Sequence, residues 1–421
     1  MLVKSYSILL LIILTTICDY YLFSLPVKFY YLPFIFLLVI LFQKNGYNFV
    51  KVRLSYIVYI CSYLFIIIIS TLNSSFPNTY GYSSPIIFFS GVLINIGIFY
   101  LTYSMWNIEL CNTYIKAISY IALVNAIISI ILFVISNFIG KPIGNMFLLS
   151  GTNIWRAAGL YAEPDIFGFY TSTITLVLLP FIYTKRKSLY LINLPFLAFF
   201  FSIIANLISF TRTTLLSLII CIFYYLWLKG KKSFIIFCSI ALLAIIGVSS
   251  IAKENPILSR FSINSHKTDN GAFDSRLYNV YMTLNNFNNQ KILFGAGPGY
   301  LYDLAFDKTN RDTYASGGDI NTNRNGTFFI LGELFNTGIL GLLILIILLI
   351  YLWRKLRVDN LKYKYNNDKL IIGAKLILLN ALIVSCSNTV IKMPFIWIFI
   401  AIGCKALNGT RIISKKLSIS E

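Results

Sequence analysis

The sequence predicts an all-α, polytopic membrane protein: a bundle of about 12 transmembrane helices with a large outer loop between helices 9 and 10. Three observations carry this expectation. Of 421 residues, 58% are hydrophobic and 12% charged, whereas soluble chains run about 45–50% apolar and about 25% charged. Apolar runs such as 327–353 are longer than the roughly 20 residues a helix needs to cross a bilayer, and they lack the alternation of a membrane barrel strand. Lysine and arginine gather on alternate connections, as they do on the inner side of multi-pass proteins.

Taken in order, hydrophobic runs between polar breaks place spans at 7–23, 29–42, 54–72, 86–106, 117–139, 167–183, 189–208, 214–228, 234–251, 327–353, 370–390 and 393–407. The stretch 189–228 is too long for one helix. At about 1.5 Å per residue it would nearly double the bilayer, so a turn is expected around 206–212. The first run lacks a small-residue cleavage site and reads as a retained anchor. With the N-terminus inside, the basic connections are Lys44, Lys51 and Arg53, then Lys185 to Lys187, then Lys229, Lys231 and Lys232. The run 354–369 and a tail with Arg411, Lys415 and Lys416 complete the set, and both termini fall on the cytoplasmic side. The net charge of +20 therefore reports topology and contact with anionic membrane lipids, not nucleic acid. The chain reads as a single integral membrane domain. Residues 1–251 hold the first nine helices and an outer segment at 140–166, 252–326 form the large outer loop, and 327–421 hold the last three helices and the tail.

Arginine on the outer side is the informative feature. Arg156, Arg212, Arg260, Arg276, Arg311 and Arg324 all fall there. A guanidinium keeps its charge and bonds phosphate oxygens in pairs, whereas an ammonium acts as a point charge. Arg212 lies at a span boundary, where a charge is costly and marks function or an ion pair. Glu163 and Asp165 sit near the same face, where a partly desolvated carboxylate can act as a base; equally, Glu163-Pro164-Asp165 can simply open a helix at its positive end. Glu333 lies inside a span as a buried partner for an arginine or lysine, and Asp19 and Lys375 read as structural. The segment 275–287 has one apolar helical face, and Gly295 to Gly299 form a turn with amides suited to an anion. Other motifs fail. The run 319–330 lacks the glycine and final glutamate of a calcium loop, His266 sits in a polar stretch, and the cysteines show no CxxC spacing. No metal or other cofactor is expected.

Four blocks resemble the O-antigen polymerase/ligase superfamily. They are Arg156-x-x-Gly159-x-x-x-Glu163-Pro164-x-x-x-Gly168; Ser209-Phe-Thr211-Arg212-Thr213; Asp274-Ser275-Arg276 followed by Leu293-Phe-Gly295-Ala-Gly297-Pro-Gly299; and Asn325, Glu333, Gly338 and Gly341. The resemblance implies a metal-independent membrane glycosyltransferase of GT-C-like architecture in the bacterial inner membrane, with its site facing the periplasm. It would join undecaprenyl-diphosphate-linked repeat units, as Wzy-type polymerases do. In that role Arg156, Arg212, Arg276 and Arg324 would hold the diphosphate and glycan, with Arg212 and Arg276 catalytic and Glu163 the base for the acceptor hydroxyl. Tyr161, Tyr278, Tyr281 and Tyr300 fit an interfacial aromatic belt better than sugar stacking. The partners implied are lipid-linked donor and acceptor, membrane lipids, a chain-length regulator and a flippase. Arg324 stands where ligases carry a histidine, which argues against the ligase branch. The alternatives are an O-antigen ligase acting on lipid A–core, a lipid-linked oligosaccharide flippase or transporter, and a structural membrane protein with an inert loop.

Overall fold

Proline, glycine and polar breaks decide where the apolar runs begin and end as helices. The computed structural model describes residues 34–36, 38–39, 54–72, 83–148, 153–161, 163–182, 193–230, 292–295, 297, 329–356, 366–386 and 393–417. The expected spans 7–23, most of 29–42 and 234–251, the helix at 275–287 and nearly all of the loop 252–326 lie outside the described residues. Those described form α1 (Leu54–Leu72), α2 (Ser83–Met105), α3 (Cys111–Ile139), a short antiparallel hairpin of β1 (Met146–Leu148) and β2 (Trp155–Ala157), α4 (Pro164–Ile182), α5 (Leu194–Ile208), α6 (Arg212–Lys229), α7 (Phe329–Lys355), α8 (Asn366–Ser385) and α9 (Pro394–Leu417). Pro164 and Pro394 open their helices, where the missing N–H costs no internal bond. Asn193 caps α5, its side chain accepting from the Phe196 N–H at 3.0 Å.

Among the described residues, five helices have stretches long and apolar enough to cross a membrane: Phe88–Met105, Cys111–Ile139, Pro164–Ile182, Arg212–Lys229 and Asn336–Lys355. The break expected around 206–212 is present, with Ser209 and Phe210 forming the turn between α5 and α6. Two boundaries move. Helix α3 begins at Cys111 rather than 117, because Cys111, Tyr114 and Ile115 add a buried face to polar neighbours. Helix α9 runs on to Leu417, nearly three turns beyond the expected 407.

Helix α4 is the centre. It packs against α5, α6 and α8, while α3 packs on α5, α9 on α2 and α8, and α7 on α1. A helix enclosed on nearly every side cannot hold a polar stripe for water. Its hydroxyls turn inward instead: Thr171 donates to the Phe167 carbonyl, Ser172 and Thr173 to that of Phe169, and Thr175 to that of Thr171, all within 3.0 Å. Asn380 of α8 then donates to Ser172 (3.0 Å) and Thr173 (3.3 Å) and accepts from Ser217 of α6 (2.6 Å). A polar knot thus locks α4, α6 and α8 where each lost bond would leave a buried group unpaired.

Helix α7 departs from the continuous span expected at 327–353. It breaks at Gly338, whose φ of 69° and ψ of −172° are not helical. Before the break, Glu333 accepts from the Tyr63 hydroxyl at 2.8 Å and the Asn336 carbonyl accepts from Ser70, in the same order along both chains. From Asn336 to Tyr351, which lies 5.7 Å from Tyr59, the order against α1 is reversed. The amides freed by the break are not left open: Ile339 N–H donates to the Ile292 carbonyl (2.9 Å) and Leu340 N–H to that of Leu293 (3.2 Å). Gly295 and Gly338 face each other backbone to backbone, with no room for a Cβ at either. Gly338→Ala is therefore expected to lower stability by about 1–3 kcal/mol or more, since positive φ with ψ near 180° is a region essentially only glycine adopts. Gly91→Ala, with nothing within 4 Å of the added carbon, should be neutral or slightly stabilising in a helix. Thermal unfolding in nanodiscs separates the two.

Candidate active site

The site is built where the hairpin, the start of α4 and the α5–α6 turn meet. The hairpin is pinned to the end of α3 by Asn137, which accepts from the Trp155 N–H (2.9 Å) and donates to the Trp155 carbonyl (3.2 Å). That anchoring aims the next residue, Arg156. Its Nε donates to the Ser209 carbonyl at 2.9 Å, and its Nη2 donates to Asp165 Oδ1 at 2.8 Å and reaches Thr211 Oγ1 at 3.4 Å. The pair is partly solvated, with Arg156 21% and Asp165 35% exposed. One guanidinium thereby joins the hairpin, the first turn of α4 and the α5–α6 turn.

The turn is shaped to accept it. Phe210 has a φ of 52°, left-handed backbone that a bulky residue adopts only when its surroundings impose it. Its ring lies 6.1 Å from that of Phe133. Ser209, Thr211 and Thr214 crowd against Gly168 of α4, where a Cβ would come within 2.7 Å of Ser209 Oγ and 2.9 Å of Thr214 Oγ1. Asn206 ties the same corner, donating to the Gly168 carbonyl at 2.6 Å and to Thr171 at 3.2 Å. The absence of a side chain at Gly168 is what lets α4 and the turn touch.

Thr211 is the N-cap of α6, yet its side chain makes no capping bond. Its hydroxyl lies 3.3 Å from the Pro164 carbonyl and 3.2 Å from Asp165 instead. Arg212 follows as the first residue of α6 and is half-buried. A helix start favours anions, so a cation there adds positive potential to that of the helix end. Glu163 is exposed just ahead of α4, two residues from the Asp165 that Arg156 engages.

The structure thus brings Arg156 and Arg212 to one corner, with Glu163 at its edge; Arg276 and Arg324 lie outside the described residues. Pro164 and Asp165 open α4, as the helix-start alternative for that tripeptide expected. Tyr161 corrects the aromatic-belt expectation: it is fully buried, 4.8 Å from the Tyr170 ring, so it serves packing. Gly295, expected to shape an anion-holding turn, is used for the close approach to Gly338. Glu333 is buried as expected, and a tyrosine hydroxyl bonds it. Lys375 is buried with its ammonium 4.5 Å from the Trp353 ring. Among the described residues no cluster of His, Cys, Asp or Glu is placed to hold a metal ion. Sequence reasoning undervalued Asp165, Ser209 and Thr211. For Ser209 and Thr211 the signal was present, since both are named positions of a block that carries the resemblance; Asp165 holds an unspecified position of its block.

Residues 197–346 match the O-antigen ligase family. The match agrees with the O-antigen polymerase/ligase superfamily that the motifs resemble. It begins after Arg156 and Asp165 but includes Asn206, Ser209, Thr211 and Arg212, so the family segment and the block before it meet in space through the Arg156 fork. With five of the described helices of spanning length, the chain reads as a membrane protein, and its segment 197–346 is similar to a family of membrane glycosyltransferase-like enzymes. The family match covers ligase- and polymerase-type functions alike. No curated protein matches the chain.

If the Arg156–Asp165 pair fixes this corner, Arg156→Ala and Asp165→Ala should couple by about 1 kcal/mol in a double-mutant cycle, the upper end for a solvated pair. Arg156→Lys should not restore the wild-type value, because an ammonium lacks the planar fork that serves a carbonyl and a carboxylate together. Thermal unfolding in nanodiscs measures both.

Proposed function

We propose that the protein is a polysaccharide polymerase that joins undecaprenyl-diphosphate-linked repeat units at the outer face of the bacterial inner membrane. The observation that carries this reading is the corner where Arg212 heads a helix whose N-cap hydroxyl is turned away from capping, beside the Arg156–Asp165 pair. Cationic side chain and helix start together favour the diphosphate of a lipid-linked donor.

In the transfer, the bond between the anomeric carbon and the diphosphate oxygen breaks as the acceptor hydroxyl oxygen bonds to that carbon. The hydroxyl proton passes to a carboxylate, assigned to Glu163, and the lipid diphosphate leaves with the electron pair. Arg212 stabilises the charge growing on the leaving group, as preorganised donors do. Arg156 holds the turn that presents Arg212 and adds its own charge; Arg276 and Arg324 belong to the same proposal through the sequence motifs. The bundle of about 12 helices with its large periplasmic loop is part of this reading, as are a chain-length regulator and a flippase as partners.

The second reading is an O-antigen ligase, favoured by the description of the matching family; Arg324, in the place of the ligase histidine, argues against that branch. Deletion of the gene should leave a single capped repeat on the cell surface for a polymerase. Unligated lipid-linked polymer would identify a ligase, and loss of external precursor a flippase. Arg212→Ala and Arg276→Ala should each cut the rate by about 10²–10³ and erase long chains from a polysaccharide gel while the protein still inserts. Unchanged ladders in both would refute the assignment.

A further inference from the structure

Helix α3 records how deep the Arg156 corner lies. Its exposed face runs through Tyr120, Val124, Ile128, Ile131, Ile135 and Phe138, one stripe at helical spacing. Every residue exposed between Tyr120 and Ile139 is apolar or aromatic, and exposed lysines bracket the run, Lys116 one turn before it and Lys141 just after. From Tyr120 to Ile139 the stripe spans about 28 Å at 1.5 Å per residue, against a hydrocarbon core of about 30 Å. Phe138, 91% exposed, therefore marks the edge of the hydrocarbon at the Arg156 end.

The chain does not continue away from that edge. It turns at Gly140 and comes back along α3: the Ile143 N–H donates to Ser136 Oγ at 3.0 Å, and a Cβ on Gly144 would stand 3.1 Å from Leu132. Leu132 lies about 10 Å short of Ile139 along the helix. Asn137 holds Trp155, and the Phe210 ring meets that of Phe133, so the hairpin and the α5–α6 turn sit at or below the level of Phe138. Successive side chains of a strand point to opposite faces, and on β1 both Phe147 (38% exposed) and Leu148 (53%) are uncovered. A strand with one face in water alternates apolar with polar residues; Met146-Phe147-Leu148 does not. Backbone groups that hydrocarbon would leave unsatisfied are taken within the protein. Besides the Asn137 bonds, the Met146 N–H donates to the Gly144 carbonyl (3.1 Å) and the Ala158 N–H to that of Asn145 (3.2 Å).

We propose that β1 is inserted in the membrane leaflet at the Arg156 end, with Phe147 and Leu148 against the acyl chains of its phospholipids. Arg156, opposite Phe147 in the strand register, then lies just beneath the surface of the leaflet. The inference is independent of the glycan chemistry assigned to the corner.

Photolabelling of the full-length wild-type protein in phosphatidylcholine nanodiscs tests this. One reagent is a phosphatidylcholine with a diazirine on its acyl chain, the other a water-soluble diazirine, and adducts are mapped by mass spectrometry. The acyl-chain reagent should label Phe147 and Leu148 as it labels Ile135 and Phe138, while Lys141 is labelled from water. A diazirine near the glycerol should label the hairpin more than one at the chain terminus; the reverse order would overturn the depth. Labelling of Phe147 and Leu148 from water alone would place β1 outside the membrane and end the proposal. Labelling by neither reagent, or a crosslink from this strand to a second copy of the chain, would show a protein-covered face and would count equally against it.

Discussion

The fork of hydrogen bonds from the Arg156 guanidinium holds together parts of the chain that sequence separates by more than fifty residues. Its Nε takes the Ser209 carbonyl and its Nη2 takes Asp165 and Thr211, so the hairpin, the mouth of α4 and the α5–α6 turn share one cation. Only a planar group with several fixed donors can do this. Other features of the corner follow from it. Gly168 lacks a side chain because the turn must come that close, Phe210 accepts a left-handed backbone to present the Ser209 carbonyl, and Thr211 turns its hydroxyl away from capping α6.

Deeper in the bundle the governing constraint is the bilayer, which supplies no water to a stray polar group. Helix α4 answers with hydroxyls bonded to its own carbonyls, and Asn380 joins Ser172, Thr173 and Ser217 across three helices. Around Gly338 the same rule is met from outside the helix. The carbonyls of Ile292 and Leu293 take up amides that the broken helix no longer satisfies, so a segment distant in sequence becomes part of α7's cap.

The two ends of the bundle differ in the cation each uses. At one end Arg156 meets a carboxylate, a backbone carbonyl and a hydroxyl. At the other, lysines lay their ammonium groups over the rings of Tyr225, Phe181 and Trp353. Guanidinium suits directional bonding to oxygen, and ammonium over an aromatic face suits a charge kept close to hydrocarbon. The Tyr63–Glu333 bond belongs to neither end's cation chemistry and ties α1 to the segment before the Gly338 break.

Apolar run length and the spacing of lysine and arginine determined, from sequence alone, that this chain is helical and membrane-embedded. They also placed α1 at its observed limits and put a turn between α5 and α6, because bilayer thickness limits the length of a span. The arginine-bearing blocks were legible as candidates, since Arg156, Glu163 and Arg212 stand out against apolar neighbours. The choice of Asp165 as the partner of Arg156, the break at Gly338 and the burial of Tyr161 were not legible. Each depends on which surfaces face one another after folding: Asp165 and Glu163 differ by two positions on a helix start, and only the packing of the turn selects between them. Composition and periodicity report what a segment needs to bury, whereas pairing between segments depends on distances that exist only once the helices are packed.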